Sequence, residues 1–206
     1  GSNRICVHSE GFAPFEVDVS DLSVHDGEAN TTAAIVRGCA ARMKELGYAV
    51  GGFDAVMTST VFRGSGLSSS AAVEVLICAV LDGLFNKGDM SAVQRAQISQ
   101  YAENKYFGKP SGLMDQMASS VGGIVAIDFR YEEPEISALA YDFEARGYRL
   151  AVVNTGGSHD DLTEAYGDIR KEMEQVAAYY GKRCLREVSP RAFEEAIPIL
   201  RTKVSD

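Results

Sequence analysis

The segment RGSGLSSSAA at residues 63–72 most constrains how this 206-residue chain can fold. It lies between a strand-like run at 53–61 and a mostly apolar run at 70–85 of helical length. Gly64 and Gly66 permit backbone angles that a Cβ forbids, and they let a ligand come close to the chain. The serines that follow bring hydroxyls and free backbone N–H groups to a helix N-terminus, where the dipole favours an anion. A triphosphate suits that place, and a serine hydroxyl can also reach a magnesium ion. Known phosphate loops do not match. A P-loop needs GxxxxGK(S/T), and no lysine stands at the required position. A dinucleotide fingerprint needs a third glycine where this chain has Ser69. On spacing alone the plainer reading is preferred, a glycine turn leading into a serine-capped helix.

A second segment, ENKYFGKPSGLMDQ at 103–116, ends one helix on Glu103, turns through glycine and proline, and places Asp115 near the start of the next helix. Leu113, Met114 and Met117 surround Asp115 in sequence, so a partly desolvated and more basic carboxylate is expected, with the helix dipole acting in the opposite direction. Such an aspartate can take the proton of a substrate hydroxyl or orient it. Glu103 can ligate magnesium opposite a loop serine. For single acids the plainer reading, a solvated or capping side chain, usually prevails. His8, His25 and His159 have no metal-site spacing. Tyr101, Tyr106, Tyr179 and Tyr180 fall at helical spacing and read as packing residues.

Around these segments the pattern predicts strands at 3–8 and 15–19 joined by a Gly/Pro turn, then a helix over 29–46 stopped by Gly47. Ser91 and Gln94 form a capping-box pair opening a helix to about Tyr106, and a short helix follows over 111–120. Strands are expected at 123–129 and 149–154, and a box at Asp161 and Glu164 opens a helix to about Tyr180. Ser189 and Pro190 begin the last helix. The order is mixed rather than strictly alternating, which points to an α+β fold with a subdomain boundary near 145–148. A net charge of −9 makes nucleic acid a poor partner, while a small anion responds to local dipoles instead. The four cysteines are scattered, with Cys39 and Cys78 inside apolar helical patterns, so no disulfide scaffold is implied and a reducing cytoplasm is the default. The apolar run at 73–81 is too short to span a bilayer, so no membrane partner is expected.

Together the two segments resemble galactokinases, a family of the GHMP kinase superfamily. GSGLSSSAA at 64–72 looks like that family's second motif, its glycine/serine loop. AENKYFGKPSGLMDQ at 102–116 looks like the segment that carries its catalytic aspartate, and 154–166 is similar to the stretch leading into its C-terminal domain. The resemblance runs over about residues 3–200. It implies a GHMP kinase N-terminal, ATP-binding domain (ribosomal protein S5 domain 2-like) over 1–145, lacking its N-terminal part, and a partial C-terminal α+β domain over 146–206. Carried over by residue, it implies that Gly64, Ser65, Gly66, Leu67, Ser68, Ser69 and Ser70 cradle the triphosphate of ATP. Ser70 and Glu103 would hold Mg2+, Asp115 would be the catalytic carboxylate, and Gly112, Asp115 and Tyr166 would lie against the sugar. The implied reaction is transfer of the γ-phosphoryl group of ATP to the anomeric hydroxyl of galactose, in the cytoplasm.

The chain departs from the family in several places. The N-terminal signature GRxNxxGEHxDY, which supplies an arginine and sugar contacts, is absent, as is the third glycine-rich motif. Phe62 replaces a leading proline, Ser111 a cysteine and Leu113 an isoleucine. The expectation is a chain truncated at both ends, weakly active or inactive by itself and prone to self-association through exposed strand edges. The alternatives are a related sugar 1-kinase acting on N-acetylgalactosamine or arabinose, and a non-catalytic galactose/ATP sensor of the same fold. The uninterrupted serine loop, with Ser70, Glu103 and Asp115 in place, favours an enzyme.

Overall fold

Alternation decides the opening of the chain: Ile5, Val7 and Val17 are buried while Arg4, Glu16 and Asp18 are exposed. These residues form β1 (Arg4–Ser9) and β2 (Phe15–Asp18), which pair antiparallel with Ile5 opposite Val17. β3 (Asp54–Met57) joins the other side of β1 in parallel, giving the order β2-β1-β3. The computed structural model describes residues 2–61, 66–131, 133–153 and 163–204. The strand expected over 53–61 stops at Met57 because its partner stops there, Ser9 at the end of β1 lying opposite Met57.

Four helices build the rest of the first unit, which comprises the described residues of Gly1–Gly122 and Leu150–Asp160. In α1 (Thr32–Glu45), the Thr31 side chain caps the start by accepting from the Ala34 N–H at 3.2 Å. Gly47, with φ of +88°, lies just beyond the C-terminal end, as the sequence predicts. Next come α2 (Ser69–Phe85), α3 (Ala92–Ala102) and α4 (Met114–Val121). Ser91 accepts from the Gln94 N–H at 3.1 Å, fulfilling the forward half of the expected capping box. α1 crosses the end of α3 closely: a Cβ at Gly38 would stand 2.8 Å from Ala102 Cβ. The sheet face (Ile5, Val7, Val17), α1 (Val36, Cys39, Met43), α2 (Ile77, Cys78, Leu81) and α3 (Ile98, Ala102) share one core. Each large aliphatic side chain there contributes about 1.5–3 kcal/mol on leaving water.

The predicted helix to Tyr106 does not stay α-helical. After Ala102 the chain loosens into a π-helical turn over Glu103–Phe107, closed by Gly108 at φ +92°. Such turns insert a residue into the helical register and recur at functional sites. Arg37 of α1 is nearly buried. Its Nε and Nη2 meet the two Glu28 carboxylate oxygens at 2.7 Å each, and Nη1 donates to the carbonyls of Asp18 and Asp21. This pairing holds the Glu28 carboxyl below its usual range.

The second unit comprises the described residues of Gly123–Arg149 and Asp161–Asp206. β4 (Ile124–Asp128) and β5 (Glu135–Leu139) form an antiparallel pair with Ile127 opposite Ile136. α5 (Thr163–Tyr179) and α6 (Pro190–Leu200) follow, the latter capped by Ser189 accepting from the Ala192 N–H. The Tyr180 hydroxyl donates to the Ala192 carbonyl at 3.0 Å, a packing role as expected. The capping pair expected at Asp161 and Glu164 falls outside the described residues and side chains. The strand expected at 149–154 is not found: residues 149–153 have no regular structure, and Leu150, Val152 and Val153 are exposed. A strand needs a ladder partner, and none pairs with them among the described residues. The fold class is α+β, and among the described residues no helix is long and apolar enough to cross a membrane.

Candidate nucleotide and metal site

The start of α2 departs from an ordinary cap. Gly66 (φ +73°) and Ser68 (φ +56°, ψ +44°) are both left-handed, a conformation that costs a non-glycine residue like Ser68 energy. In this conformation the Ser68 side chain makes no capping hydrogen bond. The serine-capped helix favoured on spacing alone is therefore not what forms. Among the described residues no side chain caps the first turn of α2, and N–H groups at such a helix start can serve an anion. Ser68, Ser69 and Ser70 are half-buried, while Gly66 and Leu67 are exposed. Gly64 and Ser65 lie outside the described residues.

Ser70 and Glu103, 33 residues apart in sequence, come together: Ser70 Oγ donates to Glu103 Oε1 at 3.3 Å. Lys109 Nζ reaches the same oxygen at 3.3 Å from the turn that follows. The other oxygen, Glu103 Oε2, accepts from Gln116 Nε2 at 2.7 Å, and the same nitrogen donates to Glu74 Oε2 at 3.0 Å. Glu74, Glu103 and Gln116 are all buried, at 0%, 2% and 1% exposure. The π-helical turn and α2 thus aim two carboxylates at one carboxamide.

Two carboxylates around one amide cannot both stay charged out of water. Burial, and next the charge of Glu103, push the Glu74 carboxyl up to about 9, although the Gln116 hydrogen bond pulls it down. At neutral pH Glu74 is the protonated member. Its Oε1 and Gln116 Oε1 are the two buried oxygens of the pair that lack a partner. A proton on Glu74 turns one of its oxygens into a donor while the other still accepts from Gln116 Nε2.

Asp115 corrects an expectation. It is exposed, as is Met114, whereas Gln116 and Met117 turn into the core. Successive helical residues point about 100° apart, and α4 packs its Gln116/Met117 side on α2 and α3, so Asp115 faces out rather than into an apolar pocket. Gly112 is exposed, with open space where a Cβ would stand. Tyr166 lies on α5, and its side chain falls outside the described residues. The sequence reading passed over Glu74, Gln116 and Lys109 as functional residues. Glu74 carried a signal, being the only charged residue between Ser70 and Asp82 on an otherwise apolar helix.

Among the described residues no cluster of three or more His, Cys, Asp or Glu could hold a metal by itself. Ser70 and Glu103 offer a hydroxyl and a carboxylate, hard oxygen donors that suit magnesium when phosphate oxygens and water complete its shell.

Residues 34–123 match the family described as GHMP kinases N terminal domain. The galactokinase of Streptomyces coelicolor is 36% identical over 178 residues, covering 85% of this chain and 45% of that protein. The galactokinase of Glaesserella parasuis is 41% identical over 150 residues, covering 70% of this chain and 37% of that protein. The crystal structure of Lactococcus lactis galactokinase complexed with galactose matches with a TM-score of 0.74 at 25% identity, over 97% of this chain and 53% of that one. The chain spans about half the length, or less, of these curated relatives. A shared domain and a shared fold make this chain a member of the GHMP kinase family, similar in sequence and fold to galactokinases.

Proposed function

We propose that the complete protein transfers the γ-phosphoryl group of ATP to the anomeric hydroxyl of galactose. The observation that carries this reading is the meeting of Ser70 and Glu103 at the uncapped start of α2. A serine cap would have taken one of the first-turn donors, and a solvated acid would have no reason to be buried against a loop serine. In this reading the N–H groups of the loop, with Gly64, Ser65, Gly66, Leu67, Ser68, Ser69 and Ser70, hold the triphosphate. Ser70 and Glu103 hold magnesium, which when bound neutralises charge on the transferring group. Asp115 accepts a hydrogen bond from the sugar's anomeric hydroxyl and offers a place for its proton as the oxygen bonds phosphorus and ADP leaves. Its exposure suits a group that must meet a diffusing substrate. Gly112 and Tyr166 lie against the sugar. The same reading takes 1–145 as the N-terminal, ATP-binding domain and 146–206 as part of the C-terminal one. It also includes a cytoplasmic location and no nucleic-acid partner, in keeping with a net charge of −9.

A panel of sugars with Mg·ATP, followed by phosphorus NMR on the complete natural polypeptide, tests the reaction. Galactose is expected to yield a sugar 1-phosphate, and Asp115→Asn is expected to slow it by a factor on the order of 10²–10⁴. Product from N-acetylgalactosamine or arabinose in place of galactose would move the assignment to a related 1-kinase. Binding of galactose and Mg·ATP without product would make it a sensor.

A further inference from the structure

The geometry points to Gln116 as a positioning residue, whose carboxamide sets the direction of the Glu103 carboxylate toward Ser70 and anchors the helix that presents Asp115. This inference rests on the proposed nucleotide and metal reading of the site.

Gln116 is 1% exposed, so its amide has left water and must recover hydrogen bonds inside the protein. A carboxamide has two N–H donors, and here the nitrogen serves two different carboxylates on two different elements. The shorter contact, 2.7 Å, goes to Glu103 Oε2. With that oxygen held, the carboxylate plane is fixed and Oε1 is left facing Ser70 Oγ and Lys109 Nζ at 3.3 Å each. The longer contact, 3.0 Å, goes to Glu74, four residues and one turn beyond Ser70 on α2. The amide therefore joins the first turns of α2, the π-helical turn and α4 at a single nitrogen. Asp115 immediately precedes Gln116, so the same anchor fixes how α4 turns Asp115 outward. Groups that orient a metal ligand through one hydrogen bond typically change metal affinity 10–100-fold when removed.

A merely structural stitch between helices predicts lost stability without a selective change in metal binding, and the test separates the two. Mn2+ binding to the protein with a non-hydrolysable ATP analogue is read from the free-ion EPR signal, alongside circular dichroism and thermal melting. Gln116→Met retains length and bulk but donates nothing, and it is expected to weaken Mn2+ binding at least about tenfold while the chain stays folded. Should Gln116→Met fail to fold, Gln116→Asn, which keeps the amide but draws it back by one methylene, is read by the same criterion. In the complete natural polypeptide kcat/KM against Mg·ATP should fall by a factor comparable to the loss of Mn2+ affinity. Folded variants with Mn2+ affinity within about twofold of the unsubstituted protein would overturn the positioning role and leave the proposed function standing. An unsubstituted protein that binds no Mn2+·nucleotide would overturn both.

Discussion

Glu74 makes the electrostatics of the site testable without any ligand. Its carboxyl is raised from 4.5 to about 9 in the folded chain, mainly by burial and then by Glu103. Between those pH values the folded protein holds a proton that the unfolded chain has released. The stabilising contribution is complete below about pH 4.5 and is lost as pH rises toward about 9. Thermal melts of the metal-free protein should therefore fall in temperature across that window. Glu74→Gln keeps the shape and the hydrogen bonds of the protonated acid at every pH. The variant is expected to match the parent near pH 4 and to melt higher at pH 9. Melting temperatures that decline in parallel for the two proteins would locate the pH dependence elsewhere.

Among the secondary-structure elements, the crossing of α1 over the end of α3 decides where Glu103 stands. Gly38 allows it, since a Cβ there would come within 2.8 Å of Ala102 Cβ and 2.9 Å of Tyr106 Cδ2. Gly38→Ala is expected to cost about 1–3 kcal/mol in urea unfolding, because both neighbours are buried and neither can withdraw freely. Ala102 directly precedes Glu103, so the same displacement should also weaken Mn2+·nucleotide binding. Thr31→Ala, which removes the α1 cap 3.2 Å from the Ala34 N–H, supplies the contrast. It should cost about 1 kcal/mol in the same unfolding measurement and leave nucleotide binding unchanged.

Over the whole chain, apolar surface is unevenly covered. Val56 is 86% exposed on β3, an edge strand of its sheet, and Leu150, Val152 and Val153 of the same unit are also exposed. Unpaired strand edges beside apolar side chains recruit other chains. The 206-residue chain is expected to gain mass with concentration in light scattering, and Val56→Lys to reduce that gain. A constant monomer mass in the parent would remove the basis for the expected self-association.

The elements that could be read before folding are those whose cause is local. Ser91 and Ser189 cap helices through N–H groups three residues away, Gly47 ends α1 with a left-handed angle, and β1 and β2 show their period of two. The serine loop and the GLMDQ segment, each continuous in sequence, were legible as a family resemblance, while their spacing alone favoured a plain helix cap and a solvated acid. What packing alone decided lies between residues far apart. Gln116 meets Glu74 across 42 residues and Glu103 across 13, and no local periodicity encodes which buried donor will face which acid. The outward turn of Asp115, the raised carboxyl of Glu74 and the absence of a strand at 149–153 have the same origin. A side chain's exposure, its proton and a strand's ladder are all set by what stands across from it, and only the assembled helices and sheet put that neighbour in place.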